Sequence, residues 1–521
     1  MPKAPSLPPQ VIAALQRHLG DRGDPAKARE AAWHLAGQHQ WLAAAGIMRH
    51  VLTLGPVAME DLTSYANCLV SGGDFEGARR LVQDVAGQRE ALRKLARVFY
   101  GAAALAFAKG RQTEAESIAD LFLPHEPFGR RILGLEVPAD DVARPRAMED
   151  AVVADFILQA IADSAAGRLV PPGKGKARAA YEEAFAPYRN RRVLIIHRDH
   201  YYPRKDSDRT PGPDYFLESA IDAGLDARVI RSDFACAIPA AAEPLAAAAE
   251  EAEIRETIET WKPEWIVYDA FGGAGRESMT ECIRDLRRRQ QFQVVGLFHD
   301  VWSDTIREAI ARTEDDLDAV WFFDPLATSP HLRGVVRSVS TVPPIPERPF
   351  REARQRVAPT RNLGFMGSIS ISNHIRGLWL MEMRRRGIPI DVVTGFPFSP
   401  EAYRTIDGFA GFLASCKVSL CICGRNSEEA AIPARIWEGI FAKSVLLEDD
   451  THHMRHFLTP FAHYVPFRTV DELAFYADFL ARRDDIREAI ATHALDFVRE
   501  AYPAVRIWHA VLETAAKARQ P

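Results

Sequence analysis

The stretch KVSLCICGRNSEEAAIPARIWEGIFAKSVLLEDD, Lys417 to Asp450, decides the fold. Its first part, Val418 to Cys423, is a short apolar run, the pattern of a strand buried on both faces in a parallel sheet. Gly424 to Pro433 is polar and broken by Gly, Asn, Ser and Pro, so it reads as a loop leaving the strand's carboxyl end. From Ala434 onward Ile436, Trp437, Ile440 and Phe441 recur at helical spacing. Val445 to Leu447 is a second buried strand, and it runs into Glu448, Asp449 and Asp450. Strand, loop, helix and strand make one βαβ unit, whose ligands sit outside the carboxyl ends of the strands. Arg425, Asn426, Ser427, Arg435 and Glu438 are thereby gathered around one crevice.

The same grammar extends in both directions. Leu363 to Met366 is a strand ending at Gly367-Ser368, with a Ser/Asn loop to Asn373 and then a helix containing Arg376. Ile390 to Val393 is the next strand, and His463 to Phe467 a late one before the helix start at Thr469 to Leu473. Upstream, strands are expected at Arg192 to Ile196, Ala227 to Arg231, Trp265 to Tyr268, Val294 to Phe298 and Ala319 to Phe323. Helices from Tyr215 to Ala223 and from Ala240 to Trp261 separate the early ones, so this half also reads as a doubly wound sheet. Polar residues cluster past its strand ends, above all His299-Asp300-Val-Trp302-Ser-Asp304. A His or Asp at such a place is suited to take a proton from an attacking hydroxyl. The bland alternative has His299 bonding its own loop and Asp300 capping the next helix. Asp269 to Gly275 is glycine-rich without the spacing of a nucleotide-binding loop, so a tight turn comes first and a ligand cradle second.

The first third differs. It is rich in Ala, Leu, Arg, Glu and Gln with almost no strand signal. Three segments align: His39-Gln-Trp41-Leu-Ala-Ala44, Gly73-Asp-Phe75-Glu-Gly-Ala78 and Gly110-Arg-Gln-Thr-Glu-Ala115. Ala44 and Ala78 lie 34 residues apart, and Ala78 and Ala115 lie 37 apart. A period near 34 with a small residue at each helix crossing resembles tetratricopeptide repeats; a generic stack of helical hairpins is the alternative. Either gives a surface suited to partners rather than chemistry. These helices either recruit the acceptor or cover an apolar face of the first sheet. Pro171-Pro-Gly-Lys-Gly-Lys reads as a linker.

Composition bounds what remains. At 521 residues the chain exceeds a single core. A net charge of −5 argues against a dedicated nucleic-acid partner. Arg287 to Arg289 and Arg384 to Arg386 each end an expected helix, where cations complement the dipole. The six cysteines are scattered; Cys421 and Cys423 share a strand face, but no second pair completes a zinc site, and reduced thiols in the cytoplasm are expected. The amino-terminal MPKAPSLPPQ lacks the apolar core of a signal peptide, and no run is long enough to span a membrane.

A resemblance joins these readings. Arg435-Ile-Trp-Glu438-Gly-Ile-Phe-Ala, followed by an apolar strand and an acid, resembles the R-x-x-E-A-x-A-x-G segment of GT-B fold glycosyltransferases. It is closest to the family 4-like group that includes spore-protein CgeB-like domains. The resemblance covers about 190 to 515 and is strongest after 361. It implies an α/β protein of two Rossmann-like domains preceded by an all-α repeat-like domain. Its parts are a helical domain over 1–185, an acceptor-side domain over 190–350, and a donor-binding domain with closing helices over 355–521. It further implies transfer of a sugar from a nucleotide-diphospho-sugar to an acceptor such as a protein or a cell-surface glycan precursor, without metal or other cofactor. Donor contacts would come from Gly367, Ser368, Arg376, Arg425, Asn426, Arg435 and Glu438, with His299 or Asp300 as the base. Glu438 suits the task because one carboxylate accepts hydrogen bonds from both hydroxyls of a vicinal diol.

The departures are specific. Lys443 stands where the family has Gly, and the first Glu of its E-x7-E pattern would fall on Ala430. Both favour a rival reading, a non-catalytic scaffold that kept the fold and uses its helices to bind partners. At the local level the rival is a plain amphipathic helix with Arg435 and Glu438 as a surface pair. Asp206-Ser-Asp208 is formally a D-x-D, but it sits in a long charged loop and reads as solvated.

Overall fold

The computed structural model describes residues 24–53, 58–125, 127–137, 142–197, 215–231, 243–269, 276–299, 301, 304–326, 332, 335, 337–369, 374–394, 406–424 and 431–518. Two parallel sheets and a helical front end account for them, which bears out the expected fold class.

The first sheet holds β1 (Arg192–His197), β2 (Asp226–Arg231), β3 (Trp265–Asp269), β4 (Gln293–Leu297), β5 (Ala319–Phe322) and β6 (Ser338–Ser340). Their order is β2-β1-β3-β4-β5-β6, every neighbour parallel, with Val193 opposite Trp265 and Ala227. The second sheet holds β7 (Arg361–Gly367), β8 (Asp391–Thr394), β9 (Cys416–Cys421), β10 (Val445–Glu448) and β11 (Val465–Pro466) in the order β11-β10-β9-β7-β8. Leu363 stands opposite Val418, and Val418 opposite Val445. Strand order reverses between β1 and β3 in one sheet and between β7 and β9 in the other. Those two crevices are where a doubly wound sheet accepts ligands.

Both sheets are covered on both faces, which is why their strands are continuous apolar runs. The last helix, Ala504–Lys517, returns to the first sheet: Trp508 is fully buried against Trp321, ring centres 5.5 Å apart, and donates Nε1 to Ser219 Oγ at 3.1 Å.

Among the described residues the front end opens with three helical hairpins, Pro25–Gly37 with Trp41–Val51, Met59–Ser71 with Phe75–Val85, and Arg89–Ala108 with Gln112–Asp120, and the helices Pro127–Ile132, Asp150–Ala165 and Arg178–Phe185 follow. Ala44, Ala78 and Ala115 occupy the second helix of each and are fully buried, as their spacing requires. Gly73 (φ +73°) and Gly110 (φ +76°) make the left-handed turns of two hairpins, and His39 (φ +59°) makes the third without glycine. The hairpins account for the spacing without requiring a tetratricopeptide module.

These helices do not cover the first sheet. They share one apolar core with a face of the second sheet, through Leu363, Phe365, Val418, Leu420 and the helix His374–Arg385. The crossing is close: a Cβ on Gly377 would lie 2.6 Å from the Ala104 Cβ. Charge holds the other end. Buried Arg131 donates to the backbone oxygens of Arg468 (2.6 Å) and Asp449 (2.7 Å), and Arg144 pairs with Asp450. The chain just past β10 therefore anchors the front end, through the Asp450 carboxylate and the Asp449 backbone oxygen, a role that strand pattern alone does not reveal.

Candidate functional site

The site lies where the carboxyl ends of the two sheets meet. β7 ends at Gly367, and a Cβ there would sit 2.7 Å from Arg435 Nη1. Only glycine lets the guanidinium lie on the strand end. Arg435 begins the helix Arg435–Phe441, which follows the β9 loop, and its Cζ lies 5.6 Å from the centre of the Phe365 ring. Among the described residues its Nε and Nη1 are buried with no hydrogen-bond partner. Buried donors left unmade cost roughly 1–3 kcal/mol each, so such a group needs a ligand or another explanation.

One helical turn on, Glu438 is 2 % exposed. It is not one half of a surface ion pair. Its Oε1 accepts the Tyr215 hydroxyl at 3.0 Å, a bond from the first sheet's side to the second's. Burial pushes the Glu438 carboxyl up to about 7, against the opposing pulls of Arg435 and the Tyr215 bond. Near neutral pH it therefore exchanges between a proton-donating acid and an accepting carboxylate.

Arg376 is placed differently from Arg435. It is 3 % exposed and donates to Ser368 O (3.3 Å), Ser368 Oγ (3.2 Å) and Ile422 O (3.4 Å). The guanidinium thus brackets the ends of β7 and β9, fixing the Gly367-Ser368 turn and adding a cation at the switch point. The loop after β9 is gripped from below by Asp449, which accepts Cys423 N (2.7 Å) and Gly424 N (3.0 Å). From above, Asp324, just past β5, accepts Ile432 N at 3.1 Å.

His299 follows β4 and is half-buried, its ring 6.3 Å from Phe216 and 5.4 Å from Phe323. Phe216 is the chain neighbour of Tyr215, so His299 and Glu438 each contact the first turn of the helix Tyr215–Asp222. Gly367, Ser368, Arg376, Arg435 and Glu438 are likewise brought together around the β7/β9 switch point. Asp300, Arg425 and Asn426 lie outside the described residues, as do Ser427, Ala430, Asp206-Ser-Asp208 and positions 270–275. The sequence places Asp324 among the polar residues past the first sheet's strand ends, but it does not single out Tyr215 or Asp449 as site-shaping groups. Tyr215 had one usable signal: it is the first helical residue after the long polar loop that leaves β1.

Among the described residues one group has metal-ligand spacing, Cys423, Glu448 and Asp449, all buried. Its carboxylates are already engaged, Asp449 as above and Glu448 by Thr451 N (3.2 Å) and Thr451 Oγ1 (2.7 Å). Burial and the neighbouring acids push the Glu448 carboxyl well above the usual range. The cluster serves the loop and the docking of the front end. Cys421 and Cys423 do share a face, Sγ to Sγ 4.0 Å, and both are free thiols.

Lys443 resolves one departure from the resemblance. It has φ +58°, and Ser444 N bonds to Gly439 O (3.0 Å) while Lys443 N bonds to Ile440 O (2.9 Å). This is the Schellman ending that glycine normally supplies. The backbone is that of the glycine-bearing segment; only the side chain differs.

Residues 377–513 match a family described as glycosyl transferase-like, a span that contains Arg435, Glu438 and the helices that follow. The matched span takes in β8 to β11 of the second sheet and begins after β7. No curated protein matches the chain. Among solved structures, Anabaena HepE in complex with UDP-glucose is 10% identical, covering 63% of this chain and 99% of that one at a TM-score of 0.40. A Thermobaculum terrenum O-GlcNAc transferase mutant is 14% identical, covering 98% and 99% at 0.36. A Rickettsia africae glycosyltransferase is 10% identical, covering 64% and 99% at 0.40. Likeness this low speaks to neither substrate nor mechanism. Among the described residues no helix is long and apolar enough to cross a membrane.

Proposed function

We propose that this chain is a glycosyltransferase that moves a sugar from a nucleotide-diphospho-sugar to an acceptor hydroxyl in the crevice between its sheets. The observation that carries the reading is Arg435: a buried guanidinium with two orphaned donors, lying on a glycine at the second sheet's switch point. An anion is the partner such a group lacks, and a diphosphate suits its planar array of donors. Glu438, one turn away, accepts a vicinal diol of the sugar or ribose. Arg376 holds the Gly367-Ser368 turn and adds fixed positive charge, so charge developing on the leaving diphosphate is offset by groups already in place.

From the first sheet's side His299 takes the proton from the acceptor hydroxyl as it attacks the anomeric carbon. The bond to the diphosphate oxygen breaks as the new glycosidic bond forms. Asp324 and Tyr215 reach from the first sheet to the donor side and keep the two halves of the reaction in register. The front end, fused to the donor-side core, is free on its outer helices to meet an acceptor or partner protein. The scaffold alternative loses one of its two supports, since Lys443 preserves the glycine conformation.

The test uses radiolabelled UDP-, GDP- and ADP-glucose, with release of free sugar measured in the absence of acceptor. Arg435→Met and Glu438→Ala should each lower release by roughly 10²-fold, and His299→Ala should lower transfer to added acceptor by a comparable factor. Folded Arg435 and Glu438 variants that turn over at the wild-type rate would overturn the donor assignment.

A further inference from the structure

Tyr215 is a residue that neither the resemblance nor the matched segment assigns, since it precedes 377 and belongs to the other sheet. It is 5 % exposed and begins the helix Tyr215–Asp222. Its ring packs 6.4 Å from Phe350, and its neighbour Phe216 packs against Trp321 at 5.6 Å. Both rings are embedded in the core shared by the two sheets, so the hydroxyl has a fixed position. That hydroxyl donates to Glu438 Oε1 across 223 residues of sequence.

A carboxylate offers about four lone-pair sites. Tyr215 takes one of them and ties Oε1 to a fixed point, which restricts how the carboxylate can turn and leaves acceptor capacity for a ligand. Among the described residues the Tyr215 hydroxyl is the one hydrogen-bond donor to this buried carboxyl, with the charge of Arg435 beside it. A second bond, Asp324 to Ile432 N, ties the same two edges together, so the position of Tyr215 is set by how the sheets meet.

We propose that Tyr215 is a positioning residue for sugar-nucleotide binding: its hydroxyl orients Glu438 for the vicinal diol and makes donor affinity depend on the first sheet's being in place. The inference rests on the donor reading given above. Tyr215 does not touch the donor; it acts through Glu438. Its contribution must therefore vanish when Glu438 cannot be oriented to advantage.

A double-mutant cycle on the full-length chain reads this directly. Affinity for UDP-glucose, GDP-glucose and ADP-glucose is measured by titration calorimetry for the wild type, Tyr215→Phe, Glu438→Ala and the double variant. Phenylalanine keeps the ring packing, and unfolding midpoints confirm that each variant is folded. For the sugar nucleotide that the wild type binds, Tyr215→Phe should weaken binding about tenfold, and the same change in the Glu438→Ala background should cost less than about twofold. Tyr215→Phe binding as tightly as wild type while Glu438→Ala is weakened would overturn this inference and leave the donor reading intact. Equal losses in both backgrounds would also overturn it, because Tyr215 would then act independently of Glu438. Wild-type affinity in Glu438→Ala, or no binding of any of the three probes to the wild type, would overturn the donor reading and the inference with it.

Discussion

Glu438 brings its function and its cost together in one side chain. Its carboxyl is pushed from an ordinary 4.5 to about 7 by burial. A carboxyl whose pKa is higher in the folded chain binds more protons folded than unfolded. Its favourable contribution is therefore complete below about pH 4.5 and is lost as pH rises through about 7. The two values differ by about 2.5, worth about 3 kcal/mol. Glu438→Gln, which cannot ionise and still accepts the Tyr215 hydroxyl, should be about 3 kcal/mol more stable than wild type at pH 8.5, with the gap closing by pH 4.5. Urea denaturation of both proteins at the two pH values checks this; a gap that does not change with pH contradicts it. Donor binding should run the other way in the wild type, strengthening as pH rises through 7 and the carboxylate forms. At this scale the sequence carried a good deal. Arg435 and Glu438 were legible because their spacing on a short helix after a buried strand is local. Tyr215 was not, because nothing in a stretch of sequence records a hydrogen bond made 223 residues away.

The βαβ unit from β9 to β10 shows what an element can keep when its residues change. Lys443 holds φ +58°, which costs a non-glycine residue about 1–2 kcal/mol. Its Nζ lies 3.3 Å from Glu488, a partly exposed pair that returns little. Lys443→Gly should therefore stabilise the protein by about 1 kcal/mol after the extra freedom of glycine in the unfolded chain is counted. A raised denaturation midpoint is the expected result, and a lowered one would mean the Lys443 side chain contributes more than its exposure suggests. Element boundaries were legible to within a residue for β1 and β3, whereas β9 runs Cys416–Cys421, two residues earlier at both ends than the apolar run Val418 to Cys423 suggests. Ser338–Ser340 escaped because three residues with one buried side chain carry no period. The late strand shrank from five expected residues, His463 to Phe467, to Val465–Pro466, since proline cannot extend the ladder.

The whole molecule is organised by a joint that periodicity could not disclose. A helical stack and a parallel sheet each advertise an apolar face, but nothing local says which faces meet. Here the helical front end completes the core of the second sheet, with Arg131 and Arg144 seated on the acids after β10. A chain starting near Ala180 would expose Leu378, Trp379 and Met381 of the helix His374–Arg385, all fully buried in the intact protein. Burying a large apolar side chain is worth about 1.5–3 kcal/mol, so the loss from these three alone is comparable to the margin on which a domain folds. The truncated chain is expected in the insoluble fraction, and recovery of a monomeric, cooperatively unfolding product would contradict the shared core.

The central claim is that the crevice at the end of β7 and β9 takes a sugar nucleotide by its diphosphate. A crystal structure of the full-length chain with a non-hydrolysable sugar nucleotide tests it most directly. The diphosphate is expected within hydrogen-bonding distance of Arg435 Nη1 and over Gly367, with a diol of the ligand on Glu438 and the Tyr215 bond retained. A ligand seated elsewhere, with Arg435 still unpartnered beside Gly367, would contradict it.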